Sequence, residues 1–491
     1  MRTGELGFWW RDLGGQPPQR APLPGPTEAD VAIVGAGYTG LWSAYYLKRA
    51  EPALRIVVLE RERAGFGASG RNGGWVSGFF SGPPRVYDRR GGGGHAGLQR
   101  AMFATVSEVE RVIGEHAIDA DFVHGGHVEV ALGGAQRARQ REELREAREA
   151  GLLTDDLREL SAAALAERVR VAGALSASFS PHVGCVHPAK LLRGLAATVE
   201  ELGVTIHEGT PVSAIVPRRA VTPAGDVSAR WVVRATEGYT AGLDGLERAL
   251  VPMNSSMIVT EPLGEQAWGE IGWAGREVLS DAAHVYAYLQ RTADGRIAIG
   301  GRGVPYRYGS RTDGDGATAP GTIASLRAQL IAMFPAAAGA AIDHAWSGVL
   351  GVPRDWCMSV DSDPATGLAW AGGYVGEGVA ASNLAGRTLR DLLLERESEL
   401  TALPWVGRTP RRWEPEPLRW AAIRSVYGLY RRADRAERRS GRPSRLARVV
   451  DAASGRRRAE GPGRLRTVAR RRAPARARAP AGAERRTEET T

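Results

Sequence analysis

The sequence predicts an α/β fold of more than one lobe, and three observations carry that prediction. The stretch DVAIVGAGYTGLWSAYYL, starting at Asp30, reads as strand, glycine turn and helix, and RIVVLE adds a second strand ending at Glu60. The segments SSMIVTEP, VYAYLQR and RIAIGG, between about residues 250 and 345, read as strands of a separate sheet-based lobe. At 491 residues the chain is long enough for two or three lobes around a large core.

Taken in order, the first 27 residues are rich in Gly and Pro, and with Phe8, Trp9 and Trp10 they read as an extended arm packed on the body. After the βαβ unit comes the glycine-rich loop RAGFGASGRNGGW, then a helix around LQRAMFATVSEVERVIGEH. Between them RVYDRRGGGGHAG is so rich in glycine that 85–97 is expected to be loosely ordered. DFVHGGHVEVAL alternates like a strand, and AQRARQREELREAREAG is a helix whose charge run reads as a solvated face. In CVHPAKLLRGLAATVEELGVTIHEGTPVSAIV, His187 reads as a capping or packing residue, Pro188 suits a first helical turn and Gly203 a stop, and a strand pair follows. DVSARWVVRATEGYTAG gives a buried strand and a polar turn. GLAWAGGYVGEGVAASNLAGRTLRDLLL gives strand, glycine loop and long helix, and WEPEPLRWAAIRSVYGLYRRADRAERR reads as a terminal helix.

The +10 net charge invites a nucleic-acid reading, but its distribution argues against one for the folded body. Residues 456–491 hold twelve arginines against four acids, so +8 of the charge sits in the tail. Lysine occurs only at Lys48 and Lys190 against 63 arginines, which reflects composition rather than selection for phosphate contacts. The tail, rich in Arg, Ala, Pro and Gly, reads as disordered. Weak polyanion binding by this tail is the alternative function of another class, and specific nucleic-acid binding is not expected. The N-terminus lacks an apolar run resembling a secretory h-region, and LIAMFPAAAGAAI is short and broken by Pro335, so a soluble cytoplasmic protein without a membrane partner is expected. Cys185 and Cys357 make no disulfide framework and have no metal-ligand spacing, so no metal site is predicted.

The chemistry lies in the glycine loops. Gly35 permits a tight turn, Gly37 lets the backbone approach a pyrophosphate, and Gly40 lets helix and strand pack closely, while the helix N-terminus attracts the phosphates. Glu60, 20 residues beyond Gly40, is placed to accept hydrogen bonds from a ribose and disfavours a 2′-phosphate, so NADP is not expected. NAD and FAD are separated by two further loops. GASGRNGG (Gly67 to Gly74) offers close backbone approach with Ser69 and Asn72 as polar contacts, and GGYVGEGV (Gly372 to Val379) again puts glycines before a helix, where amides stabilise negative charge on a reduced flavin. An extended FAD needs both ends, and the three loops in this order point to it.

With these motifs in hand, the chain resembles the FAD-dependent amine and amino-acid oxidase family that includes D-amino-acid oxidase, glycine oxidase and monomeric sarcosine oxidase. It has most in common with the gamma-glutamylputrescine oxidase branch. The likeness runs from the arm near Trp9 through IVGAGYTGLWSAYYL, LERERAGFGASGRNGGW, VHPAKLLRGLA, RATEGYT, YLQRTADGRIAIGGRG and WAGGYVGEGVAASNLAGRTLRDLLL to about residue 445. It implies a two-lobed α/β FAD-dependent oxidoreductase, with a Rossmann-like FAD-binding domain and a mixed-sheet substrate domain. The expected division is an arm at 1–27; an FAD-binding domain from 28–90, 185–245 and 346–400; a substrate domain from 91–184 and 246–345; a C-terminal helical segment at 401–450; and a tail at 451–491.

Carried onto the matching motifs, the resemblance gives FAD contacts at Gly35, Gly37, Tyr38, Thr39 and Gly40, then Glu60 and Arg61. Gly67, Ala68, Ser69, Arg71, Asn72, Gly73 and Gly74 follow, then Val212 and Thr236, and finally Gly373, Tyr374, Gly376, Gly378 and Val379. The implied reaction is oxidation of the C–N bond of a small amine or amino acid, with hydride passing to flavin and oxygen as acceptor giving peroxide. The alternative enzyme is an FAD dehydrogenase of a hydroxy acid or amine with another electron acceptor. Some members use a lysine near the flavin to promote oxygen reduction, and neither Lys48 nor Lys190 is placed for it. Some sarcosine oxidases attach FAD through a cysteine in the region of Cys357, which also reads as a packed thiol. Substrate-pocket candidates are Tyr286 and Tyr288, on one face of a strand, with Arg302, His344 and Trp346. Arg302 suits a carboxylate because its planar fork binds bidentately, and a structural role is the competing reading for all five.

Overall fold

The structure, a computed structural model, describes residues 1–454 apart from Glu5, 89–93 and Asp313. Its frame is an eight-stranded sheet, a nine-stranded sheet and a two-stranded link.

The eight-stranded sheet grows from the first βαβ unit. Strand Thr27–Val34 pairs in parallel with Ile56–Leu59, from Val31 opposite Ile56 to Val34 opposite Leu59. The paired stretches Val31–Val34 and Ile56–Leu59 are continuous apolar runs covered on both sides, as a parallel sheet requires. Strand Val227–Arg234 pairs in parallel with Thr27–Val34 on one side, and Thr205–His207 extends the sheet beyond Ile56–Leu59. The hairpin of Ser359–Asp363 and Leu368–Gly372 joins through parallel pairing with Val227–Arg234. Helix Tyr38–Ala50 is buried from Tyr38 to Leu47 and crosses helix Gly378–Leu393 at Gly386, where a Cβ would lie 2.7 Å from the Trp42 backbone.

The nine-stranded sheet runs in the order Arg2–Thr3, Ile342–Val352, Val251–Thr260, Ile297–Gly301, Ala287–Arg291, Val278–Asp281, His127–Ala131, Ser176–Ser180 and Arg158–Leu160. Two of its pairings are parallel and the rest antiparallel, so the sheet is mixed. Alternation sets its two faces. Ile258, Leu289 and Ile299 pack under helix Pro320–Met333, while Met257 and Trp346 face the glycine loops of the other lobe.

Several elements depart from the sequence expectations. The arm is not simply extended: Phe8–Asp12 forms a helical turn with all three aromatics buried, and Arg2–Thr3 joins the large sheet. Strand Ile342–Val352 lies wholly in the nine-stranded sheet, pairing from Ile342 opposite Thr260 to Val352 opposite Val251. A lobe boundary at 346 would cut it, and the chain changes sheets only after Val352. Strands Thr205–His207 and Ala214–Val216, read as a pair, lie at opposite edges of the smaller sheet. The charged helix Gly134–Glu149 is not merely a solvated face, for Arg139, Glu143 and Glu146 are buried along one side. Helices Leu418–Ser440 and Arg445–Ser454 follow, so the helical segment passes the expected tail start at 451. The rest of the tail, 455–491, lies outside the described residues, as does 89–93 of the glycine-rich stretch, which is flanked by helices Pro84–Tyr87 and Gly94–Glu115.

Candidate functional site

The first glycine turn is built so that side chains cannot enter it. Gly35 has φ 107°, and a Cβ there would lie 2.7 Å from the Ala235 carbonyl oxygen. A Cβ on Gly40 would lie 2.0 Å from the Gly35 carbonyl oxygen, and one on Gly37 would lie 2.9 Å from Ser69 Oγ. The Tyr38 N–H donates to that Ser69 oxygen at 2.9 Å, so the second loop is tied to the start of the first helix. Gly37, Tyr38 and Thr39 face a cavity, and the positive end of the helix dipole favours an anion there.

Glu60 stands at one end of this cavity, at the tip of strand Ile56–Leu59. Its Oε2 accepts the Ala36 N–H at 2.9 Å and its Oε1 the Glu62 N–H at 3.1 Å. Burial raises its pKa against the pull of these N–H groups. Arg61, Gly67, Val212 and Thr236 line the same cavity, with the Arg61 guanidinium 5.5 Å over the Tyr239 ring.

Thr39, Ser69, Glu237 and Val349 line both this space and a second one beyond it, so the two form one elongated channel. The far part is lined by Ala68, Arg71, Asn72 and Gly73 and by the run Tyr374 to Val379. Asn72 folds its loop, accepting the Gly74 N–H at 2.7 Å and donating to the carbonyls of Ser69 and Ala68. The Tyr374 hydroxyl lies 3.2 Å from that of Thr39, joining the last glycine loop to the first. Gly373 and Gly376 take φ 75° and 120°, which L side chains rarely adopt. Gly40, Gly74 and Gly373 shape the turns without lining the channel themselves.

The channel is matched to FAD. It has a buried carboxylate at Glu60, a glycine turn at a helix N-terminus that favours an anion, and a glycine loop before helix Gly378–Leu393 in its far part. Glu60 would take the ribose, Gly37 to Thr39 and Ser69 the phosphates, and Gly73 with Tyr374 to Val379 the ring.

The structure divides the five substrate candidates. Tyr286, Tyr288 and Arg302 line the far part of the channel together, with the two tyrosine rings 6.3 Å apart. Tyr288 is held between two glycines: a Cβ on Gly73 would lie 2.8 Å, and one on Gly300 2.2 Å, from its ring. Its hydroxyl is 2.9 Å from Ser255 Oγ. His344 and Trp346 do not line the channel. His344 is wholly buried against the arm, donating from Nε2 to the Gly4 carbonyl at 2.9 Å. Trp346 donates its indole N–H to the Arg71 carbonyl at 2.9 Å, and Trp9 does the same to the Asn72 carbonyl at 2.8 Å. The two tryptophans thus hold the backbone of the second glycine loop from behind. Sequence reasoning missed Trp75, Glu237, Ser255 and Tyr427, which line the channel from distant segments. Only Glu237, in the polar turn after a buried strand, carried a local signal.

Other groups prove to lie elsewhere. Cys357 is fully buried, its Sγ 2.4 Å from where a Gly82 Cβ would sit, and burial pushes its thiol up to about 12. It does not line the channel. Lys48 donates to the Leu54 carbonyl, and Lys190 is paired with Asp119 and Asp121. His187 caps helix Pro188–Glu201, accepting the Lys190 N–H at Nδ1. Among the described residues, one group of metal-ligand type converges, His284, Asp434 and Glu437 within 4.8 Å. The Arg139 guanidinium already supplies its cation, 2.7 Å from His284 Nε2 and 2.9 Å from Glu437. No helix among these residues is long and apolar enough to cross a membrane.

A parallel βαβ sheet, a second mixed sheet and one channel between their loops define a flavin-dinucleotide oxidoreductase. The model of the FAD-dependent oxidoreductase family matches residues 30–392, and the chain belongs to that family, with FAD as its cofactor. It is 32% identical over 405 residues to the gamma-glutamylputrescine oxidoreductase of Escherichia coli, covering 78% of this chain and 89% of that one. It is 28% identical over 408 residues to the probable oxidoreductase OrdL of Haemophilus influenzae, covering 80% and 89%. Glycine oxidase from Geobacillus kaustophilus shares the fold with a TM-score of 0.66 at 20% identity, covering 79% of this chain and all of that one.

Proposed function

We propose that this oxidoreductase oxidises the C–N bond of an amine or amino acid to an imine, with oxygen as acceptor and hydrogen peroxide as product. The observation that carries the reading is that Tyr286, Tyr288 and Arg302 share one space with the ring-end loop Tyr374 to Val379. Bound FAD supplies a two-electron acceptor for hydride. The chain's own part is to bind and orient. Aromatic walls from Trp75, Tyr286, Tyr288 and Tyr374 exclude water, and a low-dielectric site disfavours an ammonium, so the amine is held in its neutral, reactive form. The Arg302 guanidinium offers a planar fork to a substrate carboxylate. The activity named for the Escherichia coli relative supports testing gamma-glutamyl amines first.

The test is to isolate the protein, record its flavin spectrum, and add polyamines, gamma-glutamyl amines and amino acids without air. Bleaching by one of these, and peroxide on readmitting air, is the expected result. A protein that reduces its flavin with none of them overturns the substrate reading. A second reading, an FAD dehydrogenase with another acceptor, is favoured by one observation: both lysines are engaged outside the channel. Bleaching without peroxide would select it.

A further inference from the structure

The family match ends at residue 392, yet one wall of the substrate end comes from beyond it. Helix Leu418–Ser440 buries Ile423, Tyr427, Tyr430, Asp434 and Glu437, spaced by four and three residues, along a single face. Tyr427 lines the channel and packs against Arg302, whose guanidinium carbon lies 5.8 Å from the ring centre. One turn further on, the Arg431 guanidinium donates to the Arg302 carbonyl at 3.0 Å and also to that of Gly303. A turn beyond that, the Asp434 carboxylate accepts the N–H groups of His284 at 2.9 Å and Val285 at 3.1 Å. Val285 and Tyr286 are themselves channel residues. A single helix face therefore supplies one ring of the substrate chamber and fixes the backbone behind Arg302 and Tyr286.

We infer that Tyr427 is a specificity-determining residue, whose ring closes the chamber beside Arg302 and limits the length of the amine that fits there. This rests on the amine reading above. Arg431 and Asp434 act as positioning residues for the two walls it faces. A side chain that only supported the fold would alter stability and flavin content, whereas one that ends the chamber alters which chain lengths bind.

The test measures binding of butylamine, hexylamine and octylamine to the FAD-loaded enzyme through perturbation of the flavin absorption without air, beside melting temperature and flavin content. Tyr427→Ala is expected to shift the octylamine to butylamine affinity ratio by about tenfold toward the longer chain, since a few methylenes decide discrimination in an apolar pocket. Tyr427→Phe, which keeps the ring, should restore the wild-type ratio. If Tyr427→Ala fails to hold FAD, Tyr427→Leu is read in its place by the same ratio. An unchanged ratio in a folded, flavin-loaded variant overturns the inference and leaves the amine reading standing. If none of the three amines perturbs the wild-type flavin, no alkyl chain reaches the ring past Tyr427 and the inference falls. The amine reading is then decided separately, by bleaching with the substrate panel.

Discussion

The Glu237 carboxylate accepts the N–H of Tyr374 at 3.1 Å through Oε1 and that of Gly351 at 2.6 Å through Oε2. One side chain thus joins the end of the strand Ile342–Val352 to the last glycine loop, at the waist of the channel. Burial raises its pKa to about 7, against the pull of the N–H groups of Tyr374, Gly351 and Gly373 and the charge of Arg234. A carboxyl raised from 4.5 to about 7 on folding gives stability that is complete below pH 4.5 and lost as the pH rises through 7. In the FAD-free protein, the melting temperature of wild type minus that of Glu237→Gln should therefore fall between pH 5 and pH 8. A difference that is flat or rises over that range would contradict the assignment.

Glu60 gives a prediction on the cofactor itself. Glu60→Ala removes a charged acceptor from the ribose end and leaves the Ala36 and Glu62 N–H groups without their side-chain acceptor. A hydrogen bond to a charged group contributes about 1.5–3 kcal/mol, so the FAD dissociation constant should rise by roughly tenfold to a hundredfold. Titration of FAD-free protein with FAD, followed by flavin fluorescence, measures it. An affinity within about twofold of wild type would remove Glu60 from the cofactor site.

Cys357 leads to a qualitative outcome. Its sulfur packs beside Gly82 and 3.3 Å from the Asp355 carbonyl oxygen, away from the channel, and its raised pKa leaves it a thiol at neutral pH. Acid precipitation should release all the flavin to the supernatant, and Cys357→Ser should retain its FAD. Yellow colour remaining in the pellet would show a covalent link and a loop position different from the one described.

Gly40→Ala tests the first turn directly. Its Cβ would lie 2.0 Å from the backbone oxygen of Gly35, which has no freedom to move while Gly35 packs on Ala235. Overpacking of this kind costs about 1–3 kcal/mol, and here it separates helix from strand at the phosphate site. The expected result is a lower melting temperature together with weakened FAD binding. Normal values of both would mean that the turn opens without penalty.

How far the sequence could be read depends on the range over which each feature is determined. The turn from Gly35 to Gly40 and the acid at Glu60 lie within one βαβ unit, where spacing alone sets geometry. The loops Gly67 to Gly74 and Gly372 to Val379 were legible only together, because each alone reads as an ordinary turn and it is their order after Glu60 that fits an extended cofactor. His344 and Trp346 were named as substrate-pocket candidates by residue type, but which face they take is decided by register. Trp346 stands opposite Met257 and His344 opposite Val259, which turns both toward the arm, and a slip of one residue would reverse this. Tyr427 was invisible for a related reason. Its helix shows only an amphipathic period, and that period does not say which cavity the buried face will meet. The buried acids of helix Gly134–Glu149 look like surface charge until the terminal helix brings Glu437 against Arg139.

That last pair supports a prediction about how the terminal helix is held. Arg139 and Glu437 are both almost fully buried, 2.9 Å apart, with His284 Nε2 3.1 Å from the same carboxylate. Burial alone would push Glu437 up, but the hydrogen bonds from His284 and Arg139 outweigh it and hold the pKa at about 2. A carboxyl lowered on folding gives stability that is complete above its ordinary value of 4.5 and lost as the pH falls toward 2. Glu437→Gln leaves the Arg139 guanidinium buried without its counter-charge, which costs about 3–5 kcal/mol at pH 7. The melting difference from wild type should narrow as the pH is lowered below 4.5. The double variant Arg139→Met with Glu437→Met removes both charges of the pair and should be more stable than Glu437→Gln alone. Because Glu437 does not line the channel, FAD content should hold in the variants that fold. Equal losses in the single and double variants would mean that shape rather than charge secures the helix.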